Sequence, residues 1–231
     1  MANLSEFLAV QGAIYNRFEI QQETVRKEGV SPDKAATDLV GGFLVVWKHS
    51  PRTSKAAAEL SRTISDVVPA LLYPEEGIHT TVSDYQVVPG LVVDRTNPAH
   101  EDALSKLAQG VREALMEISL PEPCAINYIG WLYNATTVIA EGIPNSSLIS
   151  VNEAIQNACA RHSIELRAPW GAHITVSRFL EKVPADRLPD LFQLLNSARP
   201  LGMSRPVAVE VGYFRISPAQ FEYFPYGICP L

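Results

Sequence analysis

Gly77-Ile78-His79-Thr80-Thr81-Val82-Ser83-Asp84-Tyr85 returns, altered, as Gly171-Ala172-His173-Ile174-Thr175-Val176-Ser177-Arg178-Phe179. Gly, His, Thr, Val and Ser are identical in the two stretches, and Tyr85 against Phe179 keeps an aromatic ring. Both stretches are short, rich in β-branched residues and bounded by Gly or Pro, which predicts β-strands. Alternate side chains of a strand share a face. His79, Thr81, Ser83 and Tyr85 are therefore expected on one face, with Ile78, Thr80 and Val82 behind. In the second stretch His173, Thr175, Ser177 and Phe179 share a face, with Ala172, Ile174 and Val176 behind. Each His-x-Thr spacing sets an imidazole, which titrates near neutral pH, beside a hydroxyl able to donate to a phosphate oxygen. Two such pairs facing one another make a cleft with two acid/base groups and two oxygen-binding groups.

Working outward from these strands, the chain reads as a duplicated plan. Residues 6–28 predict a helix, with apolar residues spaced through Phe7, Leu8, Val10, Ile14, Phe18 and Ile20; Phe7, Leu8, Ile14 and Phe18 need burial, which predicts that the helix packs on the core. Gly29 and the Ser31-Pro32-Asp33 turn close it, and Pro32 opens a further short helix. Gly42–Trp47 predicts a buried strand, Ser54 to about Ala70 a helix, and the first His-x-Thr strand follows. Pro98 to about Ile118 predicts a helix, then Ala125–Leu132 and Thr136–Ala140 two strands. Asn145 to His162 predicts a helix, and the second His-x-Thr strand follows it. Ala185–Ser197 predicts a last helix and Val207–Ile216 a late strand. Strand, helix and His-x-Thr strand thus occur twice.

Composition narrows the function. The chain has 231 residues, 47% hydrophobic and 19% charged, which suits one compact globular domain. No apolar run reaches the roughly 20 residues that span a bilayer, so no membrane association is expected. Met1-Ala2-Asn3-Leu4-Ser5-Glu6 lacks the basic opening of a secretory signal. Cys124, Cys159 and Cys229 are few, odd in number and far apart, which predicts a reducing, cytoplasmic setting. A metal site is not expected, since the chain has neither an HExxH segment nor a Cys-His cluster, and no cofactor is called for. Residues 1–122 carry the whole net charge of −6; residues 123–231 hold eight basic and eight acidic residues, and seven of the basic ones are Arg. An acidic total disfavours binding along a long nucleic acid. A small nucleotide or an RNA end held in one pocket fits better.

The two His-x-Thr segments, 94 residues apart, resemble those of the 2H phosphoesterases, which include the LigT-type RNA 2′,3′-cyclic phosphodiesterases. The resemblance covers about residues 41–231 and leaves residues 1–40 as an N-terminal helical extension. It implies an α+β fold, with two pseudo-symmetric lobes of antiparallel sheet and outer helices around a central cleft. It also implies metal-independent hydrolysis of a cyclic phosphodiester, with a nucleoside or RNA 2′,3′-cyclic phosphate opened to a 2′-phosphate. His173 would be the base and His79 the acid, with Thr81 and Thr175 holding the non-bridging oxygens. ADP-ribose cyclic phosphate, a 2′-5′ oligoadenylate, a cyclic oligonucleotide signal and a non-catalytic nucleotide-binding role are the alternatives.

Further candidates come from position. Trp170, three residues before His173, is placed to stack a base. Tyr128 or Tyr133, on the strand beside the second motif, is placed to hydrogen-bond phosphate. Arg178 follows the second motif where LigT-like sequences carry Arg, although strict alternation aims it away from His173. Tyr213, Phe214 and Arg215 resemble the aromatic-Arg end of the family's last strand. Ser83, Ser177, Tyr85 and Phe179 read as packing residues, and His49, His100 and His162 as surface or helix-end residues.

Overall fold

The computed structural model describes residues 4–231, so half of the Met1–Glu6 opening lies outside the described residues. Eight strands form one antiparallel sheet: β1 (Val40–Lys48), β2 (Thr80–Pro89), β3 (Ile126–Tyr133), β4 (Thr137–Pro144), β5 (Ile174–Arg178), β6 (Gly202–Ser204), β7 (Ala208–Ile216) and β8 (Phe221–Pro230). Their order is β6-β3-β4-β5-β2-β1-β7-β8. The sheet thus consists of two four-stranded halves, each with its His-x-Thr strand innermost. They join through a single residue pair, Thr80 with Ile174. Each innermost strand is reached by the predicted route, through α3 (Pro51–Val67) between β1 and β2, and through α5 (Ser146–Arg161) between β4 and β5.

The helices begin where the chain supplies caps. Ser50 accepts from the Thr53 N–H ahead of Pro51, Asn97 from the Ala99 N–H ahead of α4 (Pro98–Glu117), and Asn145 from the Leu148 N–H ahead of α5. Short α2 (Lys34–Thr37) is capped by Asp33, and α6 (Pro189–Ser197) comes after the second motif. One continuous core, from Phe43 and Trp47 of β1 to Leu104, Leu107 and Ile155 of α4 and α5, fills the space between sheet and helices. Among the described residues no helix is long and apolar enough to cross a membrane.

Two strands are absent from the sequence reading, β6 and β8. β8 contains Pro225 and Pro230, which weaken a strand pattern because proline cannot donate to a ladder. Its place at the edge of the sheet accommodates both.

The first helix, α1 (Leu4–Glu28), packs along the sheet with Gln11, Tyr15, Phe18 and Val25 buried. The spacing is helical: Phe18 is buried and Phe7, Leu8 and Ile14 are half-buried, as their burial need predicts. Val10 and Ile20 are exposed, while a glutamine and a tyrosine point inward. Both of those meet the backbone of Gly142 in β4, and Gln11 also accepts from the Ala172 N–H ahead of β5, which explains their burial.

Candidate active site

The cleft lies where the two half-sheets meet. His79, Thr81 and Asp84 line it from β2 and the residue before it. His173, Thr175 and Arg178 line it from the equivalent positions of β5. Arg167, Pro169 and Trp170 enter from the loop that precedes β5, and Tyr73, Phe214 and Phe221 close the far wall. The enclosed volume is about 260 Å³, near the lower end of small-molecule sites.

Alternation along the strands holds from His to Thr and then fails in both halves. Against β1, Val45 pairs with Ser83 but Val46 pairs with Thr81, so Val82 is an extra residue. Against β4, Val138 pairs with Ser177 but Ile139 pairs with Thr175, so Val176 is extra. These are β-bulges at the same motif position, and a bulge re-aims the side chains beyond it. Val82 with Ser83, and Val176 with Ser177, are buried as consecutive pairs. Asp84 and Arg178 consequently face the cleft. The expectation that Arg178 points away from His173 is overturned by this bulge. Neither serine shares the cleft face: Ser83 donates to the Arg167 carbonyl, and Ser177 is fully buried.

The glycine two residues before each histidine has a matching role. The Nδ1 of His79 lies 2.7 Å from the Gly77 carbonyl oxygen, and that of His173 lies 3.2 Å from the Gly171 carbonyl oxygen. A carbonyl only accepts, so each Nδ1 carries the proton and each neutral ring keeps an Nε2 lone pair. Aromatic rings flank both. Trp170 stacks on His173 with centroids 3.9 Å apart, and Phe221 lies 5.5 Å from His79. Burial lowers the His79 pKa to about 4; the positive charges of Lys48 and Arg178 add to this, and the Gly77 hydrogen bond opposes it. Burial lowers that of His173 to about 3, with Arg178 and His79 adding and the Gly171 hydrogen bond opposing. Both are neutral at pH 7. Among the described residues, neither the Thr81 nor the Thr175 hydroxyl has a hydrogen-bond partner.

Arg178 is held in place. Its Nε donates to the Tyr73 hydroxyl at 2.9 Å and its Nη1 to Asp33 Oδ2 at 2.9 Å. Asp33 uses its other oxygen to cap α2. Asp84, at the equivalent place in the other half, faces Arg167 at 3.4 Å.

Several candidates lie elsewhere. Tyr128 is fully buried on the opposite side of the sheet, where its hydroxyl lies 2.5 Å from Thr80 Oγ1 and 3.2 Å from His49 Nε2. Tyr133 is buried at the end of β3, where its hydroxyl accepts from Arg26 Nε and its ring faces Phe192. Neither reaches the cleft: β3 is not the strand beside the second motif, since β4 lies between it and β5, and both rings are buried in packing. Trp170 does line the cleft, but one ring face lies on His173. His49 is not a surface residue; it is buried between Ser204 and Thr80, and burial lowers its pKa to about 3. His162 is the C-cap of α5, as expected. Of the late aromatic-Arg group only Phe214 lines the cleft; Arg215 pairs with Glu222 outside it. The sequence reading missed Asp84, Phe221, Tyr73 and Asp33. Asp84 and Arg178 had one usable signal, their shared place in the repeat with opposite charge. Among the described residues no group of three or more His, Cys, Asp and Glu is arranged to hold a metal ion.

Comparison with solved structures places the fold. E. coli LigT, in a complex with 3′-AMP, superposes with a TM-score of 0.51 at 13% identity, over 83% of this chain and 98% of LigT. The chain has the 2H phosphoesterase fold. A Thermus thermophilus protein superposes with a TM-score of 0.52 at 13% identity, over 82% of this chain and 97% of its own. No family model matches the sequence, and no curated protein matches it. Within this fold the two His-x-Thr segments flank the junction of the half-sheets.

Proposed function

We propose that the cleft is a phosphodiesterase site, and that its substrate is a nucleoside or RNA 2′,3′-cyclic phosphate opened by water to a 2′-phosphate. The observation that carries this reading is the pair of imidazoles. Each is fixed as the Nδ1–H tautomer by a glycine carbonyl, and each has a partner-free threonine hydroxyl beside it. Proton transfer by two positioned groups needs two Nε2 atoms on opposite sides of one phosphorus, and the lining of one cleft by both histidines supports that reading.

In the reaction, His173 Nε2 takes a proton from water as the water oxygen bonds to phosphorus. The bond from phosphorus to the ribose 3′ oxygen breaks, and protonated His79 gives its Nε2 proton to that oxygen. Thr81 and Thr175 donate to the non-bridging oxygens as charge builds there, and Arg178 adds a fixed positive charge. The anionic phosphate offsets the burial and the cations that depress the histidines. Its arrival raises both pKa values, and His79 takes the acid role that the family resemblance implies. The complex of LigT with 3′-AMP is consistent with a nucleotide in a cleft of this fold.

The test is a panel of 2′,3′-cyclic nucleotides, ADP-ribose cyclic phosphate, 2′-5′ oligoadenylates and cyclic dinucleotides, incubated with the protein in EDTA and resolved by mass spectrometry. The expected result is conversion of 2′,3′-cyclic nucleotides to 2′-phosphates. A folded protein that leaves every cyclic phosphate intact, or works only when zinc or manganese is restored, would overturn the reading.

A further inference from the structure

The two histidines hang from peptide groups that are supported in different ways. In the first half-site the Gly77–Ile78 peptide belongs to a local turn. Its carbonyl accepts from His79 Nδ1, and its N–H donates to the Glu75 carbonyl at 3.2 Å. In the second half-site the Gly171–Ala172 peptide has no such turn. Its carbonyl accepts from His173 Nδ1, and its N–H donates to the side chain of Gln11, 2.7 Å away on α1.

Gln11 is only 3% exposed, and both ends of its carboxamide are occupied. Its Oε1 accepts from Ala172, and its Nε2 donates to the Gly142 carbonyl at 3.0 Å. β4 and β5 last pair at Ala140 with Ile174. Continuing that register would bring Gly142 opposite Ala172, so the carboxamide bridges two backbone groups just where the ladder ends. Tyr15 adds its hydroxyl to Gly142, 3.4 Å from the carbonyl oxygen and 3.3 Å from the nitrogen. Phe18 and Tyr15 pack on Trp170, which stacks on His173. A Cβ at Gly171 would lie 3.2 Å from Gln11 Cγ, a tight contact that glycine avoids.

We propose that α1 is a positioning element of the second half-site: Gln11 replaces the missing local turn and holds the one peptide group on which His173 hangs. The hydrogen bonds run in series, from Gln11 Oε1 through the Ala172 N–H and Gly171 C=O to His173 Nδ1–H. In such a chain each bond polarises the next. Orientation and tautomer of the imidazole at β5 therefore depend on a residue more than 160 positions away in sequence. The role in turnover rests on the proposed phosphodiesterase reading; the hold on the imidazole does not.

The test uses the full chain with Gln11→Met, which keeps the side-chain volume and removes both hydrogen bonds, and Gln11→Glu, which keeps the acceptor for Ala172. Long-range ¹H–¹⁵N spectra report tautomer and titration of each histidine without substrate. The charged and titratable groups sharing the cleft with His173 are His79, Arg178, Asp84, Arg167 and Tyr73; none is altered by either variant. In Gln11→Met, His173 should pass to a mixture of tautomers and titrate lower, because the Gly171 hydrogen bond that favours its charged form is weakened, while His79 keeps its wild-type signals. Gln11→Glu should retain the Nδ1–H form. With a cyclic phosphate, Gln11→Met should lower kcat by about three- to tenfold, the worth of one hydrogen bond, with little change in KM. His173 signals that coincide in Gln11→Met and wild type would overturn the inference. So would equal changes at His79, which would mean general loosening. Absence of turnover in the wild type would sink the phosphodiesterase reading and leave the spectra to decide the positioning.

Discussion

The two half-sites present the same imidazole, the same threonine and the same bulge, yet they differ in what stands behind them. The first hangs from a peptide held nearby in sequence, by the turn before β2, although Phe221 of distant β8 also packs against Gly77 and His79. The second is supported from far away, by Gln11, Tyr15 and Phe18 of α1 and by Asp33 before α2. They also differ in charge, with Asp84 at the position where the second has Arg178. A duplicated strand therefore does not mean a symmetric site. Chemistry that needs one acid and one base benefits from two similar groups in unlike surroundings.

The most severe way to break the equivalence is to remove one imidazole at a time. His79→Ala and His173→Ala should each lower turnover of a 2′,3′-cyclic nucleotide by roughly 10²–10⁴-fold. The double variant should be little worse than either, since both protons move in one step. Near-wild-type steady-state rates in either folded variant would break the pairing.

Next comes the charge difference. Arg178→Gln should cost about 10- to 100-fold in kcat/KM, the range for a hydrogen bond from a charged group. Asp33→Asn, which keeps the cap of α2 and loosens Arg178, should cost less. If Arg178→Gln leaves kcat/KM unchanged, the cleft arginine is structural only. Thr81→Ala and Thr175→Ala should each cost up to about tenfold, because each removes one donor and leaves proton transfer intact. A loss confined to one threonine would show that the phosphate oxygens are held unequally.

Stability against pH sharpens the comparison further. His79, His173 and His49 all have folded-state pKa values below the ordinary 6.5, at about 4, 3 and 3. Between 6.5 and those values the unfolded chain binds protons that the folded chain refuses. Stability is therefore full above about pH 6.5 and falls as pH drops toward 3. Urea unfolding at pH 7 and pH 4.5 should show the loss, and His79→Ala or His173→Ala should reduce it. An unchanged midpoint at the two pH values would contradict the buried neutral state. The smallest effect has the opposite sign: Asp84→Asn removes a negative charge from an anion site and should lower KM by about two- to fivefold, the worth of a partly exposed charge. A raised KM would instead mark Asp84 as a substrate contact.

By itself the sequence determined the repeat, the His-x-Thr pairs, the order of the main helices and strands, and the resemblance that they carry. Those signals are local: a period of two on strands, caps such as Asn97-Pro98, and glycines at fixed distance from each histidine. Only the tertiary structure decided which residues support the site from behind. Tyr128 and Tyr133 sit on β3, which β4 separates from the second His-x-Thr strand, and both rings are buried in packing. Gln11 and Asp33 are distant in sequence but reach the site because α1 packs against β3 and α5 and α2 against β1, which brings the two side chains to Ala172 and Arg178. Arg178 faces the cleft because one extra residue in β5 shifts the alternation, and an extra residue in a ladder exists only relative to the partner strand. A side chain's type and spacing can be read from the chain alone. Its direction and its distant supports depend on which strand pairs with which, a property of the assembled sheet.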